Sequence, residues 1–130
     1  MPRHPTMLFD FTRELITPRF PHRVLTLTSF PFRIVFANVA FIRLRRNESV
    51  IGASLFDCFV SDDMETKPHL SQAKSFLGSL LNGVGSAIQI VAAENRATIP
   101  CVVNAYPVVS NETGAQDICY YAMRFNDIQT

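Results

Sequence analysis

Apolar and polar residues alternate near the start of this chain in the manner of β-strands. From position 24 to 29, leucine or valine alternates with threonine or serine, which is typical of a half-buried strand. Positions 32–36 form a second short run of aromatic and β-branched residues, and Phe30 and Pro31 make a tight connection between the two runs. We therefore predict an antiparallel hairpin here.

The middle of the chain changes to the longer period of helices. Asn38 stands where a helix cap is expected, and apolar residues fill positions 39–44 after it. Positions 53–59, which follow Gly52, predict a short helical stretch. Leucine and alanine then recur at helical spacing over positions 70–81 and predict a longer helix.

The last third of the chain returns to β-forming residues. Positions 87–92, 98–109 and 117–125 predict three strands, which are separated by polar segments. A strand pair, short helices and three more strands indicate an α+β fold, with the helices gathered on one face of an antiparallel sheet.

The N-terminal positions predict a separate element. Thr6 can cap a short amphipathic helix that Pro18 ends, and a Pro-containing linker follows. We therefore divide the chain into a flanking helix and linker at positions 1–21 and a domain at positions 22–130. This helix carries more apolar residues than a peripheral helix can hide against one domain.

Composition and charge exclude several classes of function. A formal net charge of +1 provides no field to attract nucleic acid, so we expect no direct contact with it. The longest apolar run is far shorter than a membrane span, so we expect no membrane insertion and an intracellular protein, nuclear or cytoplasmic. Cys58, Cys101 and Cys119 are widely separated and form no metal-binding pattern, so free thiols are expected.

Three segments together resemble the Per-Arnt-Sim (PAS) family. Positions 32–41, FRIVFANVAF, are similar to the family's strand-to-helix pattern, in which an Asn caps the helix. Positions 50–56, VIGASLF, resemble its next turn, and positions 124–128, RFNDI, resemble its ending with one extra residue before the Asp. The resemblance covers positions 23–128. It implies a five-stranded antiparallel sheet, with short helices on its concave face and the two N-terminal strands beside the last one.

The resemblance also implies a module for protein interaction within a larger signalling or transcription-regulatory protein. We expect no enzymatic activity, because the sequence has neither a nucleophile elbow nor a phosphate-binding loop. We expect a homodimer or a heterodimer with another PAS domain, through the N-terminal helix and the outer face of the sheet. The N-terminal helix could equally fold back over that face. The residues predicted for this interface are Met7, Leu8, Phe11, Leu15, Ile118, Tyr120 and Ala122.

The alternative function is a sensor that binds a small molecule or cofactor inside the domain. The predicted lining of such a pocket is Phe36, Phe41, Leu55, Phe56, Leu77 and Ile90. Eleven phenylalanines favour a filled core instead. In light-sensing PAS proteins a cysteine within Asn-Cys-Arg-Phe-Leu-Gln forms a flavin adduct. Cys58 has different neighbours and is expected to be a core thiol, and His69 is expected to be solvated rather than a haem ligand. No cofactor is therefore expected, and neither flavin nor haem is supported.

Overall fold

The strands near the start of the chain and those in its last third pair with each other in one antiparallel sheet. The computed structural model describes residues 22–46, 49–61, 64, 67–91, 97–110, 117–126 and 128. The strands are β1 (His22–Thr26), β2 (Ile34–Ala37), β3 (Phe59–Val60), β4 (Ser86–Val91), β5 (Thr98–Ser110) and β6 (Asp117–Asn126). Their order in the sheet is β2-β1-β6-β5-β4-β3. The predicted α+β fold is confirmed, with the two N-terminal strands beside the last one.

Polar caps start the helical segments at the predicted positions. Helix α1 (Val39–Leu44) begins after Asn38, whose side chain accepts a hydrogen bond from the backbone N–H of Phe41. A 3-10 helix (Leu55–Asp57) begins after Ser54, whose Oγ accepts from the N–H of Phe56 at 3.3 Å. Helix α2 (Leu70–Leu81) is the longest helix of the described residues. The Asn and Ser of the PAS-like segments therefore act as caps.

The sheet has one more strand than the sequence predicted. Only Leu55–Asp57 is helical within the segment expected to be a short helix, and Phe59–Val60 forms the edge strand β3 instead. Phe59 pairs with Ile90 of β4. Aromatic and β-branched residues favour a pleated surface, so pairing with β4 outweighs the weak helical pattern at these two positions.

The two faces of the sheet carry different clusters of apolar residues. The main core lies between the sheet and the helices and includes Phe41 of α1, Leu55 and Phe56 of the 3-10 helix, and Leu77 of α2. A smaller cluster on the outer face contains Leu25, Val108 and Ala122, which are fully buried, with Val35, Tyr106 and Tyr120 packed against them. Strand β6 therefore carries apolar residues on both faces, with Met123 and Phe125 in the main core and Ala122 in the outer cluster.

Among the described residues, no helix combines the length and the apolar character needed to cross a membrane. Within the same part of the chain, no group of three or more His, Cys, Asp or Glu side chains is placed to hold a metal ion.

Candidate functional site

A β-bulge decides which side chains of β2 face the core. Leu25 pairs with Phe36 and Thr26 pairs with Ile34, so Val35 is an extra residue in β2. Ile34 is fully buried in the main core, whereas Phe36 is 51% exposed and belongs to the opposite face. The prediction that Phe36 lines an internal pocket is wrong, because simple alternation would place Ile34 and Phe36 on the same face.

The other five residues of the predicted lining do come together in the main core. Phe41, Leu55, Phe56, Leu77 and Ile90 are all buried there. Phe56 has three aromatic neighbours, with ring centroids 6.0, 5.6 and 6.1 Å from those of Phe32, Phe59 and Phe76. These rings pack against one another between the sheet and the helices. None of the five residues lines the cleft described below, so their part in a binding pocket stays a prediction.

An open cleft lies beside this core, between α2 and the beginning of β4. Its volume is about 390 Å³, which is within the range of small-molecule sites. Phe76 and Leu80 line the cleft and also pack in the main core, so they form its apolar floor. The described residues that line the cleft are Met64, Gln72, Ser75, Phe76, Ser79, Leu80, Val84, Gly85 and Ser86.

Gln72 lines this cleft and also carries a buried polar atom. Its side-chain Oε1 is shielded from solvent and has no hydrogen-bond partner in the structure. An unpaired buried acceptor costs about 1–3 kcal/mol. The cleft is open, so an atom shielded from solvent is covered by protein atoms and does not face it. The hydroxyls of Ser75, Ser79 and Ser86 are the other polar side-chain groups among the described lining residues.

His69 is an exposed cap of α2. Its Nδ1 lies 3.4 Å from the backbone N of Gln72, which donates to it, and 2.9 Å from Oγ of Ser71. The ring is exposed, as the sequence predicted, and it is not among the residues that line the cleft.

The three cysteines are free thiols in different environments. Cys58 is 1% exposed and packs in the main core, as predicted. Burial raises the pKa of Cys101 to about 11. Cys119 is partly buried, and its Sγ donates to the carbonyl oxygen of Asp117 at 3.7 Å. No thiol of the described residues lines the cleft between α2 and β4.

The structure describes three of the seven residues predicted for the interface. The other four lie outside the described residues: Met7, Leu8, Phe11 and Leu15. Ala122 and Tyr120 belong to the outer-face cluster. Ile118 does not share their face, because Val108 pairs with Tyr120 and Val109 pairs with Ile118, which leaves Cys119 as a bulge. Ile118 is 49% exposed, and its part in an interface stays a prediction.

No protein-family model and no curated protein matches the sequence. Solved structures do match in fold. The LOV protein of Rhodobacter sphaeroides is 15% identical with a TM-score of 0.60, covering 92% of this chain and 66% of that chain. A fungal LOV domain photoreceptor for blue light is 14% identical with a TM-score of 0.54, covering 92% and 88%. A variant of Vivid, a fungal photoreceptor, is 15% identical with a TM-score of 0.55, covering 95% and 96%.

A curled antiparallel sheet with short helices on one face is the PAS fold, and this chain has it. Within that class its similarities are to LOV domains, which belong to the PAS superfamily. The chain spans less than two thirds of the length of the Rhodobacter LOV protein. The resemblance seen in the sequence is therefore confirmed at the level of the fold.

These similarities overturn the prediction that no cofactor, and in particular no flavin, is supported. LOV domains bind flavin. The exclusion depended on the residues around Cys58, whereas the similarity is one of fold over 92% of the chain. The cleft gives an independent test of fit: its volume of about 390 Å³ and its apolar floor of Phe76 and Leu80 are compatible with a small molecule.

Proposed function

We propose that this chain is a PAS-type sensor domain that binds a small planar molecule, flavin being the first candidate, in the cleft between α2 and β4. The observation that carries the proposal is a cleft of about 390 Å³ whose floor belongs to the main core of a LOV-like fold. A molecule in this cleft would touch α2 directly. It would also contact the start of β4, which pairs with β5 at the centre of the sheet.

The residues of the cleft divide the work of binding between apolar and polar contacts. Phe76 and Leu80 would pack against one face of a planar ring, and Met64 and Val84 would cover its edges. The hydroxyls of Ser75, Ser79 and Ser86 would donate or accept hydrogen bonds at its polar atoms. A bound flavin would supply absorption of blue light and redox chemistry. The proposal assigns no catalytic step to the side chains of the protein.

The direct test is an absorbance and fluorescence spectrum of the purified chain, followed by titration of ligand-free protein with riboflavin and FMN. A ligand that binds only the folded state at 100 times its Kd stabilises it by about 2.7 kcal/mol. We therefore expect Tm to rise by roughly 5–15 °C. A protein that is purified without a chromophore and whose Tm is moved by neither flavin would contradict the proposal.

A matched pair of variants locates the site. Ser75→Trp places an indole in the cleft and should abolish the rise in Tm, because Ser75 is a lining residue. Lys74→Trp adds the same side chain to an exposed neighbouring position of α2 that does not line the cleft, and it should keep the rise. Equal loss of binding in both variants would argue against this location.

The outer face of the sheet supports a second candidate function, interaction with another PAS domain. Leu25 and Ala122 are buried on this face, and Phe36, which pairs with Leu25, is half exposed beside them. Leu27, which directly follows β1, is 41% exposed. An apolar patch with a buried centre and an exposed border is suited to a protein partner.

Light scattering after size exclusion tests this second function. We propose a homodimer or a heterodimer, and we expect Phe36→Glu to convert a homodimer into monomers. Leu70→Glu is the control, because Leu70 is similarly exposed but lies at the start of α2 on the other side of the sheet. A chain that is monomeric at all concentrations, alone and mixed with candidate PAS partners, would contradict this function.

A further inference from the structure

The centre of the outer face of the sheet is buried, although the helices of the described residues pack on the other face. Leu25, Val108 and Ala122 are each 0% exposed there. Arg23 alternates along β1 with Val24 of the main core, so it belongs to the outer face, and it is 2% exposed. Side chains on an uncovered sheet face keep contact with water, and an arginine does so most of all. The centre of this face is therefore covered.

The buried area extends over three strands. Leu25 lies on β1 and Val108 on β5 with β6 between them, so the area is about 10 Å across. One end is at Arg23, which pairs with Arg124 of β6. The other end is at Val108, which pairs with Tyr120 four residues away on β6, about 14 Å along the strand. This burial exists within one copy of the chain, so the cover belongs to the chain itself.

The short connections outside the described residues cannot reach across this area. The connection at positions 111–116 begins and ends beside Ser110 and Asp117, which pair with each other. Its six residues can extend only about 10 Å from that point and return. Ala122 is five residues of strand away from Asp117, about 17 Å. Positions 92–96 join β4 to β5 at the opposite end of β5.

The stretch that can reach the whole area is positions 1–21. It leads directly into β1, whose Arg23 and Leu25 belong to the buried area. The other end of the chain turns the opposite way, because Ile128 packs against the main core. The sequence predicts an amphipathic helix of about eleven residues within positions 1–21, and a helix of this size measures roughly 16 Å, which matches the length of the buried area.

We propose that positions 1–21 fold back over the outer face of the same chain, with the apolar side of the predicted helix against Leu25, Val108 and Ala122. The segment then closes the centre of the face and leaves the border, which includes Phe36, to a partner. A partner gains the centre only when this segment leaves. The inference does not depend on binding of a ligand in the cleft between α2 and β4.

Labelling of an engineered thiol by a maleimide measures whether the face is covered. The full chain carries Ala122→Cys together with Cys119→Ser, which removes a partly buried thiol of the same strand. Cys58 and Cys101 are buried in the main core, so their labelling reports unfolding of the whole domain. We expect Ala122→Cys to react at least about tenfold more slowly than Ile118→Cys, because Ile118 is 49% exposed on the same strand.

A matched pair of substitutions identifies the segment that provides the cover. Phe11→Glu places a charge among the apolar residues of the predicted helix. It should speed labelling of Ala122→Cys about tenfold or more, because a phenylalanine gains at least this factor on burial and a carboxylate does not. Arg13→Glu introduces the same side chain on the polar side of the predicted helix and should leave the rate unchanged. Val108→Cys repeats the measurement at a second position, and it replaces Ala122→Cys if that variant does not fold.

Labelling at two protein concentrations distinguishes a cover from the same chain from a cover by a second copy. Protection by a second copy weakens on dilution, whereas protection by positions 1–21 of the same chain does not. Protection that is independent of concentration and that Phe11→Glu removes, while the core thiols stay unreactive, would support the inference. Labelling of Ala122→Cys as fast as that of Ile118→Cys, loss of protection on dilution, or equal rates in the Phe11→Glu and Arg13→Glu variants would overturn it. None of these results involves a flavin, so the proposed sensor function is tested separately.

Discussion

Replacing Asn38 with alanine should lower the free energy of unfolding by more than the loss of an exposed polar side chain would. Oδ1 of Asn38 accepts hydrogen bonds from the backbone N–H of Phe41 at 3.0 Å and from that of Arg23 at 3.2 Å. The backbone N–H of Asn38 in turn donates to the carbonyl oxygen of Arg23 at 3.0 Å. Asn38 is fully buried, so water cannot replace these bonds. One side chain therefore both starts α1 and joins it to β1.

The magnitude follows from the two bonds that alanine cannot make. A lost N-cap costs about 1 kcal/mol, and a buried N–H of Arg23 left without its acceptor costs about 1–3 kcal/mol. We expect the free energy of unfolding to fall by about 2–4 kcal/mol. With a urea m-value of about 2 kcal/mol/M, the unfolding midpoint should fall by about 1–2 M.

Urea unfolding followed by circular dichroism measures this shift, and Asn82→Ala is the matched control. Asn82 is exposed at the C-terminal end of α2, so the same substitution there should change the free energy of unfolding by less than about 0.5 kcal/mol. Equal midpoints for Asn38→Ala and Asn82→Ala would refute the reasoning that Asn38 connects α1 to β1.

Three further predictions concern ionisation and backbone conformation. Burial raises the pKa of Cys101 from 9.0 to about 11, so the unfolded chain releases this proton first. The free energy of unfolding should fall by about 1–2 kcal/mol between roughly pH 9 and 11, and Cys101→Ala should remove that part of the slope in urea titrations. Burial lowers the pKa of His22 below 6.5, so the unfolded chain takes up this proton first as pH falls. Tm should therefore fall below about pH 6.5. A His22→Gln variant that keeps the full decline would contradict this. Gly78 lies inside α2 with open space around it, so Gly78→Ala should stabilise by about 0.5–1 kcal/mol. Gly83 has φ +89°, where alanine is strained, so Gly83→Ala should destabilise by about 1–2 kcal/mol. Thermal unfolding should show a higher Tm for Gly78→Ala and a lower Tm for Gly83→Ala.

Local signals in the sequence were sufficient for the order of elements and for the caps. Asn38 and Ser54 each precede a helical segment and accept from a backbone N–H two or three residues later, as the residue types predict. These interactions are short-range, so they can be read without knowing the rest of the fold. Five of the six residues proposed to line a pocket were chosen on the same local periodicity, and they lie in the main core.

Features that depend on strand pairing could not be predicted in this way. The bulges at Val35 and Cys119 each shift the alternation by one residue, and they move Phe36 and Ile118 to faces that simple alternation does not give. A bulge is a property of two strands and their register. The edge strand Phe59–Val60 likewise exists only because β4 is available to pair with it.

The same distinction explains why the cofactor prediction failed although the fold prediction succeeded. The fold depends on caps, alternation and burial, which persist at 14 to 18% identity to LOV structures. A test for flavin that considered only the neighbours of Cys58 examined a residue that lies in the core and does not line the cleft. The serines and apolar residues that line the cleft form no motif in the sequence, and α2 and β4 bring them together only in the folded chain. Binding measurements on a cleft variant such as Ser75→Trp, rather than on variants of Cys58, therefore decide whether this cleft holds a ligand.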